Sequence, residues 1–347
     1  IGTFFKLMDF MNILFKNKRI LITGGTGSLG QALTKKLLAL DVSTIRILSR
    51  NESKQVDMDE EFSDDRLRFL IGDIRDKERL IKSLEDIDIV FHAAALKHVP
   101  VIEYNPFEAI KTNVIGSQNI IDAAVAQDVK KVICIGTDKS VSPLNTYGAT
   151  KLLMEKLFVT ANNFISKEKH STKFIAVRYG NVFGSSGSII PKFLEQIKNE
   201  RKVTVTNKDM TRFSIRMDKA LNFILDCTEN GKPSEIYIPK MEAYTISDIV
   251  QAFQNIFPNA QMETVGIRPG EKFHEVLISE EESRDAWDLG DKFMISNPNW
   301  TSNKEVSESY NGKIKKISYN NEYSSENVEK MSIDEIQNLI IQSKNQI

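Results

Sequence analysis

Two short segments of the chain carry side chains that could move protons and hydride. Thr137, Asp138 and Lys139 follow an apolar run, and Tyr147 and Lys151 stand four residues apart in a helical pattern. Such a pair shares one helix face, so Lys151 is expected to lower the pKa of the Tyr147 phenol, which then acts as a base on a substrate hydroxyl. Asp138 and Lys139 add an acid and an amine that alcohol oxidation does not need. They indicate that a group is also eliminated.

Asp138 and Lys139 have a second interpretation, an ion pair in the loop that follows a strand. The catalytic interpretation sets a condition, because Lys139 must be neutral to act as a base. Burial, or a neighbouring cation such as Lys151, would have to depress the pKa of Lys139.

The alternation of apolar runs and helical patterns along the sequence predicts which elements position these residues. From residue 18 to 178, short apolar runs alternate with helical patterns, which is typical of a parallel sheet covered by helices. The predicted strands are 19–23, 44–48, 67–71, 87–91, 132–135 and 174–177, and the predicted helices include 29–40, 106–126 and 146–164. We therefore expect an α/β fold with a doubly wound parallel sheet.

After Gly180 the rhythm loosens and predicts a smaller α/β lobe. Its predicted helices are 189–199, 217–228 and 245–257, with a strand at 236–238. From about residue 301 the composition is polar and predicts an extended tail. The tail should end in a helix, because Ser332 and Glu335 have the spacing of a capping box.

The predicted domains are therefore an N-terminal extension at 1–17, the doubly wound domain at 18–180, a mainly substrate-binding lobe at 181–300 and the tail at 301–347. Residues 1–10 are either an upstream extension or a short amphipathic helix. The first fifteen residues fall short of a membrane span.

Composition and charge argue against several classes of protein. A hydrophobic content of 41% and a charged content of 27% are ordinary for a cytoplasmic enzyme. The formal net charge of -1 argues against nucleic acid or an acidic membrane as the main partner. With Cys134 and Cys227 as its only cysteines, and four histidines that are not spaced as a metal pair, the chain is expected to have no disulfide framework and no metal.

The first strand runs through a glycine-rich turn directly into a helix. Glycines let the backbone approach a pyrophosphate, and the helix N-terminus favours anions. A purely structural glycine turn is the alternative, which the strand-to-helix context disfavours. The predicted pyrophosphate-binding residues are Gly24, Thr26, Gly27, Ser28, Leu29 and Gly30.

The residue types at the end of the second predicted strand indicate which dinucleotide the site prefers. An NAD-preferring site usually places Asp or Glu there, whereas this chain has Ser49 and Arg50, followed by Asn51 and Lys54. Cations and polar donors suit the additional phosphate of NADP. Surface solvation is the alternative for Arg50.

Residues after later strands complete the predicted cofactor site. Asp73 is expected to accept from the adenine amino group or to form a plain turn, and three alanines leave room for the cofactor or for close helix packing. Asn113 lies near the site or is a satisfied core amide. These further predicted contacts are Asp73, Ile74, Ala93, Ala94, Ala95 and Asn113.

Five further motifs make a family resemblance specific. With the glycine loop and the Tyr147–Lys151 pair, the chain resembles the extended short-chain dehydrogenases/reductases, and among them the inverting UDP-N-acetylglucosamine 4,6-dehydratases of the pseudaminic acid pathway. The motifs are AAALKHVP at 93–100, TDK at 137–139, RYGNV at 178–182, MTRF at 210–213 and RPGEK at 268–272. Some capsule-forming relatives replace the tyrosine that this chain keeps as Tyr147.

The resemblance implies a Rossmann sheet and a reaction. Tyr147, near Thr137, would take the C4 hydroxyl proton of a UDP-sugar while hydride passes to tightly bound NADP. Lys139 would remove the C5 proton and Asp138 would protonate the departing C6 hydroxyl. Hydride return to C6 and proton delivery from the opposite face would give a 4-keto-6-deoxy sugar of L-arabino configuration. A homo-oligomer, with a hexamer as one form, is also implied.

The same motifs imply how the UDP-sugar is held. Arginines and a lysine in the second lobe are expected to bind the diphosphate, unless they are merely solvated. Glu271 is expected to accept from a sugar hydroxyl and Asn181 to meet a phosphate or the acetamido group, while His98 either lines the sugar pocket or is packed in the core. The predicted substrate contacts are Lys97, His98, Asn181, Lys192, Arg212, Arg268 and Glu271.

Other functions remain open from the sequence. A nucleotide-sugar 4-epimerase would use Tyr147 and Lys151 but would not need the acid and amine, and a retaining 4,6-dehydratase would share the chemistry. A non-catalytic NADP-sensing protein on the same fold would be expected to have lost Tyr147 and Lys139, and both are intact.

Overall fold

The structure is a computed structural model, which describes residues 14–166, 168–185, 188–199, 201–297, 302–318 and 322–344. The segment 1–10, with its two interpretations, lies outside these residues. No helix among the described residues is long and apolar enough to cross a membrane.

Strands and helices alternate regularly through the first half of the chain. In order they are β1 (Arg19–Thr23), α1 (Ser28–Leu38), β2 (Thr44–Ser49), α2 (Glu52–Phe62), β3 (Leu67–Ile71), α3 (Lys77–Ser83), β4 (Ile89–His92), α4 (Val99–Tyr104), α5 (Pro106–Ala109), a π-helical segment (Ile110–Ile115), α6 (Gly116–Ala126), β5 (Lys131–Ile135), a 3₁₀ turn (Asp138–Ser140), α7 (Thr146–Phe164) and β6 (Lys173–Val177).

The second half is less regular. Its elements are β7 (Asn181–Val182), α8 (Ile189–Lys198), β8 (Val203–Val205), β9 (Thr211–Ile215), α9 (Met217–Asn230), β10 (Ile236–Pro239), β11 (Glu242–Thr245), α10 (Ile246–Ile256), β12 (Met262–Thr264), β13 (Val276–Ile278), a 3₁₀ turn (Glu282–Asp285), β14 (Ala286–Asp288), β15 (Lys292–Ile295), α11 (Asn303–Ser309), β16 (Lys315–Lys316), β17 (Tyr323–Ser324) and α12 (Ile333–Lys344).

The main sheet has the strand order β16-β14-β15-β10-β6-β5-β4-β1-β2-β3. The strands from β10 to β3 in this order are parallel, whereas β14, β15 and β16 pair antiparallel. The central strands are buried along nearly their whole length, because helices cover both faces. The predicted doubly wound sheet is confirmed, and β1 lies between β2 and β4, where the strand order reverses.

The main sheet continues past the boundary predicted at residue 180. Strands β10, β14 and β15 come from the segment assigned to the second lobe, and β16 comes from the predicted tail. A separate small core holds the rest of the lobe, where the rings of Phe193 and Phe253 meet edge to face with their centroids 5.3 Å apart. The lobe is thus smaller than the sequence rhythm predicts.

The prediction of an extended tail is wrong. Val306 and Ile314 are buried in the main core, and β17 pairs with β13. The polar composition gives no sign of this packing, because only isolated apolar residues of the segment face the core. The predicted capping box is confirmed, since the Glu335 amide donates to Ser332 Oγ at 3.3 Å and the Ser332 amide donates to Glu335 Oε2 at 2.8 Å.

A fully buried arginine fastens the sheet to two other parts of the chain. Arg178, directly after β6, donates to both Glu155 oxygens on α7, to both Glu282 oxygens and to the Leu277 carbonyl on β13. These bonds use all five of its N–H donors. Burial alone would lower the pKa of Arg178, but Glu155 and Glu282 raise it by more. The net pKa is above the ordinary arginine value, so the guanidinium remains charged.

Replacement of this arginine should be costly. Arg178→Met leaves the fully buried Glu155 carboxylate without its cation, and we expect the free energy of unfolding to fall by about 3–5 kcal/mol in urea denaturation. Arg216→Met is the matched control, because its ion pair with Asp218 is exposed and should be worth less than about 1 kcal/mol. Equal losses in the two variants would contradict the assignment.

Candidate active site

A single cleft of about 1260 Å³ runs from the carboxyl ends of β1, β2 and β4 to the smaller lobe. Every residue predicted for the site lines it except Asp138 and Asn113, which are fully buried. The cleft therefore brings the predicted cofactor loop, the catalytic segment and the substrate-binding motifs together.

The glycine turn is shaped by close backbone packing. Gly24 has a φ of +66°, and a Cβ there would lie 2.9 Å from the Ala94 backbone. A Cβ on Gly30 would lie 2.4 Å from the Gly25 carbonyl oxygen. Gly27 is the extended N-cap of α1 and supplies no side-chain cap. The N-terminus of α1 lies at the cleft, where a helix N-terminus favours an anion.

The residues after β2 combine structural and binding roles. Asn51 caps α2 by accepting from the Lys54 amide at 2.9 Å, and Ser49 Oγ accepts from Gln55 at 2.9 Å. The Arg50 side chain is 55% exposed, and its Nη1 lies 3.9 Å from Asp73. Arg50 and Lys54 are therefore the two exposed cations of this group at the cleft that could meet an added phosphate.

Asp73 is already engaged within the protein. Its carboxylate accepts from the backbone amide and the guanidinium of Arg75. Burial raises its pKa, but Arg75 and Arg50 lower it by more, so the pKa of Asp73 lies below its usual value. Asp73 lines the cleft as a paired carboxylate, which accords with the turn interpretation as well as with adenine contact.

Of the two roles open to Asn113, the structure supports the core amide. Its Oδ1 accepts from the Leu96 amide at 2.8 Å, and its Nδ2 donates to the Leu96 carbonyl and to Thr150 Oγ1, each at 3.0 Å. The predicted direct cofactor contact is therefore corrected. Asn113 instead lies in the π-helical segment within predicted helix 106–126 and fixes the loop after β4.

The buried His92, at the end of β4, connects β1 to α6 through two hydrogen bonds. His92 Nδ1 lies 2.8 Å from Thr23 Oγ1, and its Nε2 lies 3.0 Å from Ser117 Oγ, which itself donates to the Asn113 carbonyl. This chain of bonds assigns a neutral imidazole that accepts from Thr23 and donates to Ser117. Burial, with the charge of Lys151, lowers the pKa of His92 to about 3.

The catalytic segment is held by the tight entry into α7. Asn145 caps this helix by accepting from the Gly148 amide at 2.8 Å. A Cβ on Gly148 would lie only 2.2 Å from the Lys139 carbonyl oxygen. The glycine therefore lets the start of α7 press against the 3₁₀ turn, which brings the neighbouring Tyr147 close to Lys139.

Lys139 lies among three oxygen acceptors. Its Nζ is 3.1 Å from Asp138 Oδ1, 3.4 Å from Glu275 Oε1 and 3.4 Å from Asn181 Oδ1. Burial lowers the pKa of Lys139, but Asp138, Glu275 and Tyr147 raise it above the ordinary lysine value. The depressed pKa that a basic Lys139 requires is thus not found, because two carboxylates face the amine.

The expected tuning of Tyr147 by Lys151 is also corrected. Lys151 donates to the Ile135 carbonyl at 2.7 Å, and burial lowers its pKa to about 8 against the opposing effects of Cys134 and Glu155. Burial raises the pKa of Tyr147, which Lys139 and Thr137 oppose. In this geometry Lys139 is the cation that acts on the phenol.

Asp138 lies behind Lys139 rather than on the cleft wall. It is fully buried, and its Oδ1 accepts from Thr137 Oγ1 at 2.8 Å as well as from Lys139. Close packing beside it depends on Gly180, since a Cβ there would lie 2.5 Å from Phe213 Cβ. The carboxylate can orient Lys139 from this position, but it does not line the cleft.

The predicted diphosphate-binding cations of the second lobe differ in their burial and in their bonding partners. Arg212 is buried and donates to Glu271 Oε1 at 3.0 Å and to the Thr211 and Phe273 carbonyls. To contact a diphosphate as predicted, Arg212 would have to break these hydrogen bonds. Glu271 in turn accepts from Arg212 and from the Arg268 amide. Arg212 is therefore better described as a residue that shapes this wall.

Lys192 and Arg268 remain suited to a diphosphate. Lys192 is half-buried, and burial and the charge of Arg268 lower its pKa while Glu271 opposes them. Arg268 is exposed at the mouth of the cleft. After β4, Lys97 and His98 are exposed and line the cleft, so the packed-core interpretation of His98 is wrong.

Two charged residues of the cleft were not predicted from the sequence. Glu275 is buried at 3% exposure beside Lys139, and Lys272 donates to the Val141 carbonyl. Lys272 closes the RPGEK motif, but Glu275 lies outside it, and its burial depends on a contact with the distant Ser325. Among the described residues, no group of three His, Cys, Asp or Glu side chains is arranged to hold a metal ion.

Comparison with known proteins gives a consistent group of relatives. A family model described as polysaccharide biosynthesis protein matches residues 20–297. The chain is 45% identical over 285 residues to UDP-N-acetylglucosamine 4,6-dehydratase (inverting) of Campylobacter jejuni, which covers 82% of this chain and 84% of that protein. It is 44% identical to an uncharacterised membrane protein of Methanocaldococcus jannaschii, over 87% of this chain and 93% of that protein.

Another relative is named for a different reaction. UDP-glucose 4-epimerase of Rickettsia canadensis is 38% identical, over 94% of this chain and 96% of that protein. Among solved structures, Pen from Bacillus thuringiensis superposes with a TM-score of 0.86 at 39% identity, covering 95% of this chain and 98% of that one.

The buried His92 should make stability depend on pH. Its folded pKa of about 3 lies below the ordinary value of 6.5, so its contribution is complete above pH 6.5 and is lost as the pH falls toward 3. Between pH 7.5 and 5.5 the loss should be about 1.4 kcal/mol.

Urea denaturation at the two pH values measures this loss. His92→Gln should lose that part of the pH dependence, whereas His170→Gln, at a partly exposed position, should keep it. An unchanged pH dependence in His92→Gln would show that the imidazole is not held neutral.

Proposed function

The chain belongs to the polysaccharide biosynthesis protein family, within the extended short-chain dehydrogenases/reductases, and we propose that it is an inverting UDP-N-acetylglucosamine 4,6-dehydratase that uses NADP. The observation that carries the proposal is the joint presence, in one cleft, of a glycine loop at a helix N-terminus, Tyr147 and the Lys139 ion-pair cluster. Similarity to the Campylobacter enzyme supports the choice of substrate.

The cofactor end fits a dinucleotide phosphate. The N-terminus of α1 at the cleft suits a pyrophosphate, the alanines after β4 line the same cleft, and Arg50 offers a guanidinium beside β2. The nicotinamide cofactor, when bound, would accept hydride from C4 of the sugar and later return it to C6.

Tyr147 is proposed to act on the C4 hydroxyl. It lines the cleft, and Thr137 hydrogen-bonds it while Lys139 favours its phenolate. Since burial raises the pKa of Tyr147, proton removal depends on the nearby ammonium. The 4-ketone that results acidifies the C5 proton and prepares the elimination.

The elimination needs a donor for the leaving C6 oxygen and an acceptor for the C5 proton. The family resemblance implies that Asp138 is the donor and Lys139 the base. The charged state of Lys139 and the full burial of Asp138 support the reverse use of the amine, with Lys139 as the donor. Asp138 would then orient Lys139.

A 4-epimerase is the second candidate, favoured by the Rickettsia relatives. Such an enzyme needs Tyr147 and the cofactor, but it removes neither the C5 proton nor the C6 hydroxyl. The cluster around Lys139 favours the dehydratase.

The cytoplasmic location and the pathway that consumes the product, pseudaminic acid synthesis, also remain parts of this proposal and rest on the resemblance. Homo-oligomer formation is supported by exposed apolar side chains on α4 and α5, where Val101, Tyr104 and Phe107 are 62%, 89% and 60% exposed. Light scattering of the purified protein tests this part.

Product analysis in heavy water separates the two reactions. With UDP-N-acetylglucosamine, a dehydratase should give a 4-keto sugar with a C6 methyl group and deuterium at C5, in the inverted configuration by NMR. Retention of the C6 hydroxyl with no deuterium at C5 would instead identify an epimerase. Tyr147→Phe should give neither product.

Cofactor preference tests the role of Arg50. Because a charge-assisted contact to the additional phosphate is lost, Arg50→Ala should weaken NADP binding roughly tenfold or more, while NAD binding stays within about twofold. Fluorescence or calorimetric titration gives both dissociation constants. Arg216→Ala, an exposed arginine with an Asp218 ion pair, is the control, and equal weakening of both cofactors by Arg50→Ala would contradict the assignment.

A further inference from the structure

A second cavity, of about 350 Å³, lies between α3 and the strands β2 and β3 at the end of the main sheet. It shares no lining residue with the catalytic cleft. Its lining includes no acid and four cations, which are Arg46, Arg68, Arg79 and Lys82. We call it the cationic cavity.

The fold brings these four cations together. Arg46 on β2 and Arg68 on β3 are partners in the parallel ladder, so their side chains leave the same face of strands that lie about 4.8 Å apart. Arg79 and Lys82 are three residues apart in α3 and share one face of that helix. Like charges on neighbouring positions repel each other, so this arrangement has an energetic cost.

No carboxylate offsets this cost. The three arginines donate to main-chain carbonyl oxygens at 2.6–3.0 Å, and for these bonds Arg46 and Arg68 use only Nη1 and Arg79 only Nε. Among the described residues, none of the four cations has a partner in an ion pair, and Lys82 also has no hydrogen-bond partner. The carbonyls fix the guanidinium groups but leave most of their N–H donors free.

Acids in the neighbouring sequence are engaged elsewhere. Asp64 pairs with Arg66 at 2.7 Å, and Asp86 pairs with Arg19 at 3.3 Å. Asp76 caps α3 by accepting from the Arg79 backbone amide at 2.9 Å. These carboxylates therefore do not neutralise the cationic cavity.

Protection of the sheet edge explains only part of the cluster. β3 is the last strand of the main sheet, and a charge on an edge strand hinders pairing with another chain. Arg68 alone would serve that purpose. Arg46 lies on an inner strand and Arg79 and Lys82 lie on a helix, so edge protection gives no reason for them to line the same cavity.

We propose that the cationic cavity binds a small molecule through a diphosphate group, at a site separate from the catalytic cleft. Arginine binds phosphate oxygens through parallel N–H donors, and a diphosphate brings at least two negative charges to the four cations. The volume of about 350 Å³ is at the lower end of small-molecule sites. The net charge of -1 argues against nucleic acid as the occupant.

Titration with inorganic pyrophosphate at constant ionic strength tests the site. Because the catalytic cleft also suits phosphates, the comparison uses variants that leave the cleft unchanged. The double variant Arg68→Gln, Lys82→Gln removes two exposed charges, and one binding event of the parent should weaken at least about tenfold in calorimetry, as expected when charged hydrogen bonds are lost.

The matched control is Arg201→Gln, Lys35→Gln. It removes the same charge from exposed positions that line neither cavity, and it should bind pyrophosphate as the parent does. If the double variant of the cavity does not fold, as judged by urea denaturation, the single variants Arg68→Gln and Lys82→Gln take its place, and each should weaken the same binding event.

Three results would overturn the proposal. The parent could bind no pyrophosphate, the cavity and control variants could bind it equally well, or the parent could bind inorganic phosphate as tightly as pyrophosphate, which would contradict the diphosphate class.

Vesicles of phosphatidylcholine and phosphatidylglycerol separate a dissolved ligand from a lipid headgroup. We expect no cosedimentation of the parent that depends on the cationic cavity. Cosedimentation that is lost in Arg68→Gln, Lys82→Gln would assign the cavity to a membrane surface and would contradict the binding of a small molecule.

Discussion

The guanidinium of Arg178 joins three segments that are far apart in the chain. Arg178 directly follows β6, and its guanidinium binds α7 through Glu155, β13 through the Leu277 carbonyl and the turn after β13 through Glu282. Tyr147 stands on α7 and Glu275 directly before β13, so one buried ion cluster connects the elements that carry two of the cleft residues. Such a cluster adds little stability over apolar packing, but its geometry is demanding, which suits a site that depends on fixed distances.

The same constraint determines what Lys139 can do. Because Tyr147 and Glu275 are held by rigid elements, the amine lies among Asp138, Glu275 and Asn181 with an oxygen for each of its N–H donors. An amine so surrounded keeps its proton. The TDK motif by itself shows one carboxylate beside the lysine and leaves either direction of proton transfer open, whereas the second carboxylate keeps the amine protonated and so argues against its use as the base.

Local patterns predicted the fold well where the signal is local. The glycine turn, the alternating strands and helices and the spacing of Tyr147 and Lys151 each depend on neighbours within one or two turns. Their consequences depend on long-range contacts, and there the predictions failed. Lys151 donates to the Ile135 carbonyl instead of tuning Tyr147, Arg212 is held by Glu271, and the polar tail is pinned by single buried apolar side chains.

Ser325 shows why Glu275 could not be found from the sequence. The serine lies within the segment that composition marks as a tail, yet it bonds both backbone groups of Glu275 and also meets Thr211 on β9 at 2.6 Å. Thr211 in turn precedes Arg212, whose guanidinium flanks the Glu275 carboxylate. The final segment of the chain therefore helps to build the wall that faces Lys139. Backbone and hydroxyl contacts, together with isolated buried apolar side chains, give no apolar periodicity by which this segment could be placed in the core.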